Sequence, residues 1–128
     1  MQKLIFEAAW DRTISQKDRE ELKQVFQKEI SNLGNGVTFT TVWVAENHKN
    51  ELLVTAIIHN KTEQHFCFES TTLEFYEEST LLAEHTFTLP SLVVAAETSM
   101  PWTFIFPVGS YERSDSIELA ELKLKKRK

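Results

Sequence analysis

Hydrophobic and polar positions divide the chain into a short helical part and a longer part that alternates. Apolar residues recur at helical spacing at Leu22, Val25, Phe26, Ile30 and Leu33. Ser15 and Asp18 have the Ser-x-x-Asp spacing of a helix start, and Gly34 is typical of a helix end. We therefore predict one helix over residues 16–33, with one apolar face. The apolar run before it, residues 4–10, predicts a short strand.

After Gly36 the hydrophobic period falls to two, which is the period of a β-strand. Segments rich in β-branched and aromatic residues, separated by short polar turns, cover residues 37–45, 52–58, 65–76, 81–89, 102–106 and 117–124. A phase change near Ser70 predicts a β-bulge, and Pro90 is expected to end its strand. Residues 92–94 permit a strand or a loop, and residues 118–122 also permit a helical turn.

The order of these elements favours one fold class. One helix is followed by about seven short strands, at the spacing typical of sandwiches and barrels. The sequence has no strand–helix–strand alternation, so a parallel doubly wound sheet is not expected. We predict a mainly β protein, an immunoglobulin-like (Ig-like) antiparallel β-sandwich of about seven strands with one N-terminal helix.

The length of 128 residues fits one domain, and a hydrophobic fraction of 41% suffices for a packed core. We assign residues 1–122 to this single domain and residues 123–128 to a basic C-terminal tail. Cys67 is the only cysteine, so no disulfide can form within the chain. Its place between two phenylalanines predicts a buried and inert thiol.

Charge is distributed unevenly along the chain. The net charge is −5, but the last six residues carry five positive charges, so the body before them carries −10. An acidic body argues against nucleic-acid binding, which needs a basic face. The first residues lack the apolar core of a signal peptide, and no window is apolar enough to cross a membrane. We predict a cytoplasmic protein with a solvated tail; weak membrane association through that tail is the alternative.

The sequence contains no recognisable catalytic or metal-binding pattern. It has no Gly-x-Ser-x-Gly nucleophile motif and no glycine-rich phosphate loop. His65 and Cys67 would share one face of a strand, but two ligands do not make a metal site. We therefore predict a protein that is not an enzyme and that uses no cofactor and no metal.

Aromatic residues make up 11% of the chain, and most occupy strand positions expected to face the core. Trp102 is the strongest candidate for an exception, because Pro101 and Trp102 follow a polar loop that would place the ring near a sheet end.

Several segments of the sequence resemble SLAP domains. Residues 52–60 are similar to their Leu-x-Val-x-x-x-Ile-Arg-Asn strand, with His59 where the family tends to carry Arg. Residues 84–92 resemble an Ala-x-x-x-Phe-x-Leu segment, and residues 98–107 resemble the Ser-x-Pro-Trp-x-Phe-x-Phe-Pro block. Residues 6–11 also resemble the start of the domain. The resemblance implies a SLAP-domain protein of Bacillus-like Firmicutes, some of which are linked to the accessory Sec pathway that exports S-layer proteins.

Together with this resemblance, these features predict a non-enzymatic adaptor, which the resemblance implies to be accessory to protein export or S-layer assembly. It would use one sandwich face or a strand edge to hold an extended or partly folded client, by β-augmentation. Its partner would be a protein client or a component of the export machinery, and a homodimer through the same surface is compatible with this role. Candidate partner-binding residues are Trp102, Pro101, His59 and Asn60. The alternative is a module that binds carbohydrate or another small ligand, stacked on Trp102, Trp43 or Trp10.

Overall fold

A computed structural model describes residues 2–112 and 120–125 of the chain. The strands are β1 (Lys3–Leu4), β2 (Gly36–Glu46), β3 (Leu52–Lys61), β4 (Phe66–Glu77), β5 (Thr80–Val94), β6 (Thr98–Phe106) and β7 (Glu121–Leu124). The helices are α1 (Ala8–Thr13) and α2 (Gln16–Glu29), and a 3-10 turn (Ile30–Asn32) follows α2. The described strands form a four-stranded sheet in the order β1-β6-β3-β2 and a three-stranded sheet in the order β5-β4-β7. The predicted mainly β fold with seven strands and an N-terminal helical region is confirmed.

The core lies between the two sheets. In β3, Val54, Ala56 and Ile58 face inward at every second position, as a strand with one buried face requires. Phenylalanines from three other strands meet them, and the ring of Phe104 lies 5.4 Å from that of Phe87 and 5.5 Å from that of Phe68. Such edge-to-face and tilted contacts add to the burial of apolar area.

Helix α2 covers the outer face of the larger sheet. Leu22 and Phe26 pack on Ile57, which points away from the sandwich core because it alternates with Ala56 and Ile58. The hydroxyl of Ser15 accepts a hydrogen bond from the backbone N–H of Asp18 at 3.1 Å, which confirms the predicted helix start. The predicted helix over residues 16–33 is confirmed, except that its last turn is a 3-10 turn ending at Asn32.

The strand predicted over residues 4–10 is wrong for most of its length. Strand β1 ends at Leu4, and α1 occupies residues 8–13. The carboxylate of Glu7 accepts hydrogen bonds from the backbone N–H groups of Ala9 and Trp10, at 2.8 and 3.2 Å. The first backbone N–H groups of a helix have no partner within the helix, and this cap satisfies two of them, which favours a helix here.

Strand β5 does not end at Pro90 as predicted but continues to Val94. Cys67 of β4 pairs with Val93 while the next residue, Phe68, pairs with Leu89, so Pro90 lies in a bulge between paired segments. An edge strand tolerates a proline in this position because no ladder hydrogen bond is required of its nitrogen.

Two further predictions concern β4. The bulge near Ser70 is confirmed, since the register shifts between Phe68 and Thr71 and Ser70 has a φ of 46°. The burial of Cys67 is wrong: its thiol is exposed, because the alternation that buries Phe68 turns its neighbour outward. Burial was the reason for expecting an inert thiol, and that reason is removed.

The last strand, β7, pairs with β4, and this excludes the alternative of a helical turn over residues 121 and 122. Residues 117–119 of the predicted strand and residues 126–128 of the tail lie outside the described residues. Lys125 is described, and its ammonium group forms an ion pair with Glu84 at 3.0 Å, which raises the pKa of Lys125.

Candidate functional site

The structure separates the four candidate partner-binding residues into two kinds. His59 and Asn60 are 0% exposed, and Pro101 is buried. Trp102 is half-buried and retains accessible surface. A buried side chain cannot contact a partner directly, so of these four only Trp102 can do so in this structure.

Asn60 connects three segments of the chain at the end of β3. Its amide group donates to the carbonyl oxygens of Gln64, Val94 and Ala95 at 2.9, 3.0 and 3.2 Å. Its carbonyl oxygen accepts from the backbone N–H and the hydroxyl of Thr62, at 3.0 and 2.7 Å. Asn60 therefore fixes the β3–β4 turn and the end of β5. These internal hydrogen bonds account for its burial, and no binding of another protein is needed to explain it.

His59 lies in a row of hydrogen bonds that connects β2, β3 and β6. Its Nε2 lies 2.8 Å from the hydroxyl of Thr40, and its Nδ1 lies 2.7 Å from the hydroxyl of Ser99. The side-chain amide of Gln2 donates to the same Ser99 oxygen at 3.1 Å. Burial lowers the pKa of His59 to about 4, so the ring is neutral at neutral pH. Its role is to join β2, β3 and β6.

The β6 strand has a partly open edge. β1 pairs only with Thr98 and Ser99, at the beginning of β6. The carbonyl oxygen of Ser99 points outward, since it accepts a hydrogen bond from the N–H of Ile5 at 2.8 Å. Main-chain groups along a strand alternate in direction, so those of Thr103 and Ile105 point outward too. Among the described residues no strand pairs with them there.

The position of Pro101 agrees with the direction in which the main-chain groups of Ser99, Thr103 and Ile105 point. A proline has no N–H, so it fits an edge strand only where its nitrogen faces away from the neighbouring strand. Pro101 pairs with Ile57 of β3 and lies two residues from Ser99 and two from Thr103. The sequence alone therefore carried a signal for the free edge, although Thr103 and Ile105 were not among the candidate residues.

A groove of about 350 Å³ opens between the edges of β5 and β6. Its inner surface is formed by Phe87, Leu89 and Phe104, which belong to or pack on the core. His85 lies on one side, edge-to-face with Phe87 at 4.9 Å, and Trp102 lies on the other. Because β5 is also an edge strand, neither sheet closes this side of the sandwich between those residues.

A second cavity, of about 280 Å³, lies on the outer face of the larger sheet. It is lined by Trp10, Trp43 and Asp18, together with hydroxyl-bearing residues that include Thr103. The indole N–H of Trp43 donates to the carboxylate of Glu21 at 2.7 Å, which fixes the ring. A register shift between Thr41 and Trp43 turns this tryptophan toward α2.

The rings of Trp10 and Trp102 stack with their centroids 6.4 Å apart and their planes at 24°. Trp102 faces the sandwich groove and Trp10 faces the outer cavity, so the pair marks one end of the open edge. The turn after β6 marks the other end, because the N–H of Glu84 donates to the carbonyl of Ser110 there.

The described residues contain neither a metal-binding cluster nor a membrane-spanning helix. Within residues 2–112 and 120–125, no three His, Cys, Asp or Glu side chains are grouped so as to hold a metal ion. Neither helix in that part of the chain has the length and apolar character needed to span a bilayer.

Comparison with known protein families identifies a family for this chain. The family model of the SLAP domain matches residues 4–127, which is nearly the whole chain. No match is found among curated proteins or among solved structures. The matched region contains every strand from β2 to β7 and the open edge of β6. On this evidence the chain belongs to the SLAP-domain family.

Proposed function

We propose that this protein is a non-enzymatic adaptor that binds an extended segment of a client protein along the open edge of β6. The observation that carries the proposal is the outward-facing main chain of Thr103 and Ile105, beside the apolar groove. Added strands gain affinity from main-chain hydrogen bonds and specificity from pockets that receive side chains.

The family match supports a client class. The name of the matching family model links SLAP domains to the accessory Sec system, and a strand edge can hold a precursor in extended form before export. The client in this proposal is therefore an exported precursor such as an S-layer protein, met in the cytoplasm. The acidic body of the chain favours basic over acidic segments by long-range attraction.

Replacing Thr103 with proline is expected to abolish peptide binding. The substitution Thr103→Pro removes an outward-pointing N–H and places a proline ring on the edge. Pro101, two residues earlier, already presents its ring on the same side of the strand. The matched control is Thr103→Val, which loses the hydroxyl bonded to Thr55 at 2.8 Å but keeps the N–H. Both variants lose that hydroxyl contact, so a difference between them reports the edge itself.

The measurement is fluorescence anisotropy with a set of labelled heptapeptides of high strand propensity, accompanied by amide NMR of the protein. Binding to the wild type and to Thr103→Val, with new protection of the Thr103 and Ile105 amides, is the expected result. Equal binding by Thr103→Pro and Thr103→Val would contradict the proposal, and so would the absence of binding by every peptide.

A second candidate function is carbohydrate binding, which is favoured by the presence of Trp10 and Trp43 in one cavity. Against it, Trp10 is already stacked on Trp102, so one face of the ring is occupied. Titration with soluble oligosaccharides is expected to leave tryptophan fluorescence unchanged. A saturable change that Trp43→Phe abolishes would instead support the carbohydrate function.

A further inference from the structure

The groove and the outer cavity meet at a single residue of the open edge. Thr103 contributes to the lining of both. Its side chain points to the outer face, where its hydroxyl lies 2.8 Å from that of Thr55, and its neighbour Phe104 points into the core. The two cavities thus lie on opposite faces of the larger sheet, on either side of the same edge.

A strand added at this edge would enter both cavities at once. Successive side chains of a strand point to opposite faces of its sheet. A client residue that faces the sandwich would enter the groove, and the residue next to it would face the outer cavity. The two recognised side chains therefore belong to adjacent residues, because side chains two positions apart point to the same face of the sheet.

The groove fits a large apolar side chain. Phe87, Leu89 and Phe104 form an apolar wall, and Phe87 is only 6% exposed. An apolar side chain placed there would extend the packing of the core and remove further apolar area from water. A charged side chain would lose its hydration among rings that offer it no counter-ion.

The outer cavity fits a cation. Its lining residues include the acidic Asp18 and the aromatic Trp10 and Trp43, a combination that attracts a cation by charge and by the ring quadrupoles. Arg19, which follows Asp18, is held elsewhere: it pairs with Asp11 at 2.8 Å and lies over the ring of Phe6. Within the described part of the chain no cation forms an ion pair with Asp18.

We propose that the edge of β6 recognises a two-residue step in its client, a large apolar residue directly adjacent to an arginine or lysine. Arginine is the better fit, since its planar guanidinium group can stack on an indole while it bonds a carboxylate. This inference rests on the proposed function, and it adds the chemistry by which that site selects one segment over another.

The test uses four synthetic peptides in one threonine-rich host: a Leu-Arg step, a Leu-Gln step, a Thr-Arg step, and a Leu-Thr-Arg spacing. The Leu-Arg peptide is expected to bind about tenfold more tightly than each of the others. The spaced peptide has the same charged and apolar groups as the first, but they share one face, so it tests the alternation directly.

A protein variant tests the outer cavity separately. Asp18→Asn is expected to lower affinity for the Leu-Arg peptide to that of the Leu-Gln peptide, and to leave the Leu-Gln affinity unchanged. The control is Glu20→Gln, which removes the same charge from an exposed position on α2 outside the cavity. Binding that both substitutions weaken equally would show general attraction to an acidic body and would overturn the assignment of Asp18.

The outcomes separate this inference from the proposed function. Peptides that bind alike, and that all lose binding in Thr103→Pro, would overturn the two-residue step while the adaptor function stands. Binding that Thr103→Pro leaves intact, or no binding at all, would overturn the adaptor function and the inference with it. Dimerisation that Thr103→Pro prevents would assign the edge to a second copy and overturn the proposed client.

Discussion

Asn60→Ala is expected to lower the free energy of unfolding by about 3 kcal/mol or more, the largest loss expected from any single polar side chain here. The side-chain N–H groups of Asn60 donate to carbonyl groups of the β3–β4 turn and of the end of β5, and its side-chain oxygen accepts from Thr62. Asn60 is 0% exposed, so alanine would leave several of these polar groups buried without a partner. Each such group costs roughly 1–3 kcal/mol.

Asn60→Asp separates hydrogen bonding from packing in this experiment. It keeps the shape of the side chain but points a carboxylate oxygen at the carbonyls of Val94 and Ala95, so it is expected to destabilise at least as much as alanine at neutral pH. Gln64→Ala is the control, since only the backbone of Gln64 takes part. Urea unfolding checks all three variants. A loss below about 1 kcal/mol for Asn60→Ala would contradict the proposed role of Asn60 in fixing the β3–β4 turn and the end of β5.

The hydrophobic pattern could predict the parts of the fold that depend on one buried face. The alternation in β3 and the helical stripe containing Leu22 and Phe26 each bury a continuous apolar surface, and the structure buries both. The bulge at Ser70 was visible for the same reason, because a phase change in the pattern means an extra residue in one strand.

The errors arose where a local hydrogen bond or an edge position outweighs that pattern. At Glu7 a side-chain cap starts α1 within an apolar run that otherwise favours a strand. At Pro90 the strand continues because β5 is an edge strand with a bulge. Neither condition depends on hydrophobic periodicity, so a pattern of apolar residues could not reveal them.

The candidate site was predicted only in part for a related reason. His59 and Asn60 are polar residues at the end of an apolar strand, which is typical of exposed positions as well as of buried hydrogen-bonded ones. Their side chains bond to partners up to 40 positions away in sequence, as with His59 and Ser99. The open edge at Thr103 depends on how short β1 is, and that length follows from the cap at Glu7.

The two buried polar residues nevertheless have a consequence for the proposed binding edge. His59 pairs with Ser99 across β3 and β6, and Asn60 pairs with Thr98. Ser99 in turn accepts hydrogen bonds from the backbone N–H of Ile5 and from the side-chain amide of Gln2. These contacts hold β1 at the beginning of β6. Disturbing this junction is therefore expected to alter the edge on which the client is proposed to bind, even though neither residue can touch it.

Acidification below pH 6.5 is expected to destabilise the protein through His59. An unfolded histidine has a pKa of 6.5, whereas burial lowers the pKa of His59 to about 4 in the folded protein. Between these values the unfolded state binds the proton and the folded state does not, so the free energy of unfolding falls as pH falls. Protonation of His59 is expected to lower the free energy of unfolding by about 3 kcal/mol in full, a loss that is reached below pH 4.

Urea unfolding between pH 7 and pH 4 checks this, with His59→Gln compared to the wild type, because carboxylates elsewhere titrate in both proteins. Among the described residues, the hydrogen-bond partners of the His59 ring are the uncharged hydroxyl groups of Thr40 and Ser99, so neither partner is an anion that would offset the charge buried by protonation. The wild type is expected to lose stability more steeply with acid than His59→Gln, whatever their difference at pH 7. His48→Gln, in an exposed turn, is expected to follow the wild type, and equal slopes for wild type and His59→Gln would refute the assignment.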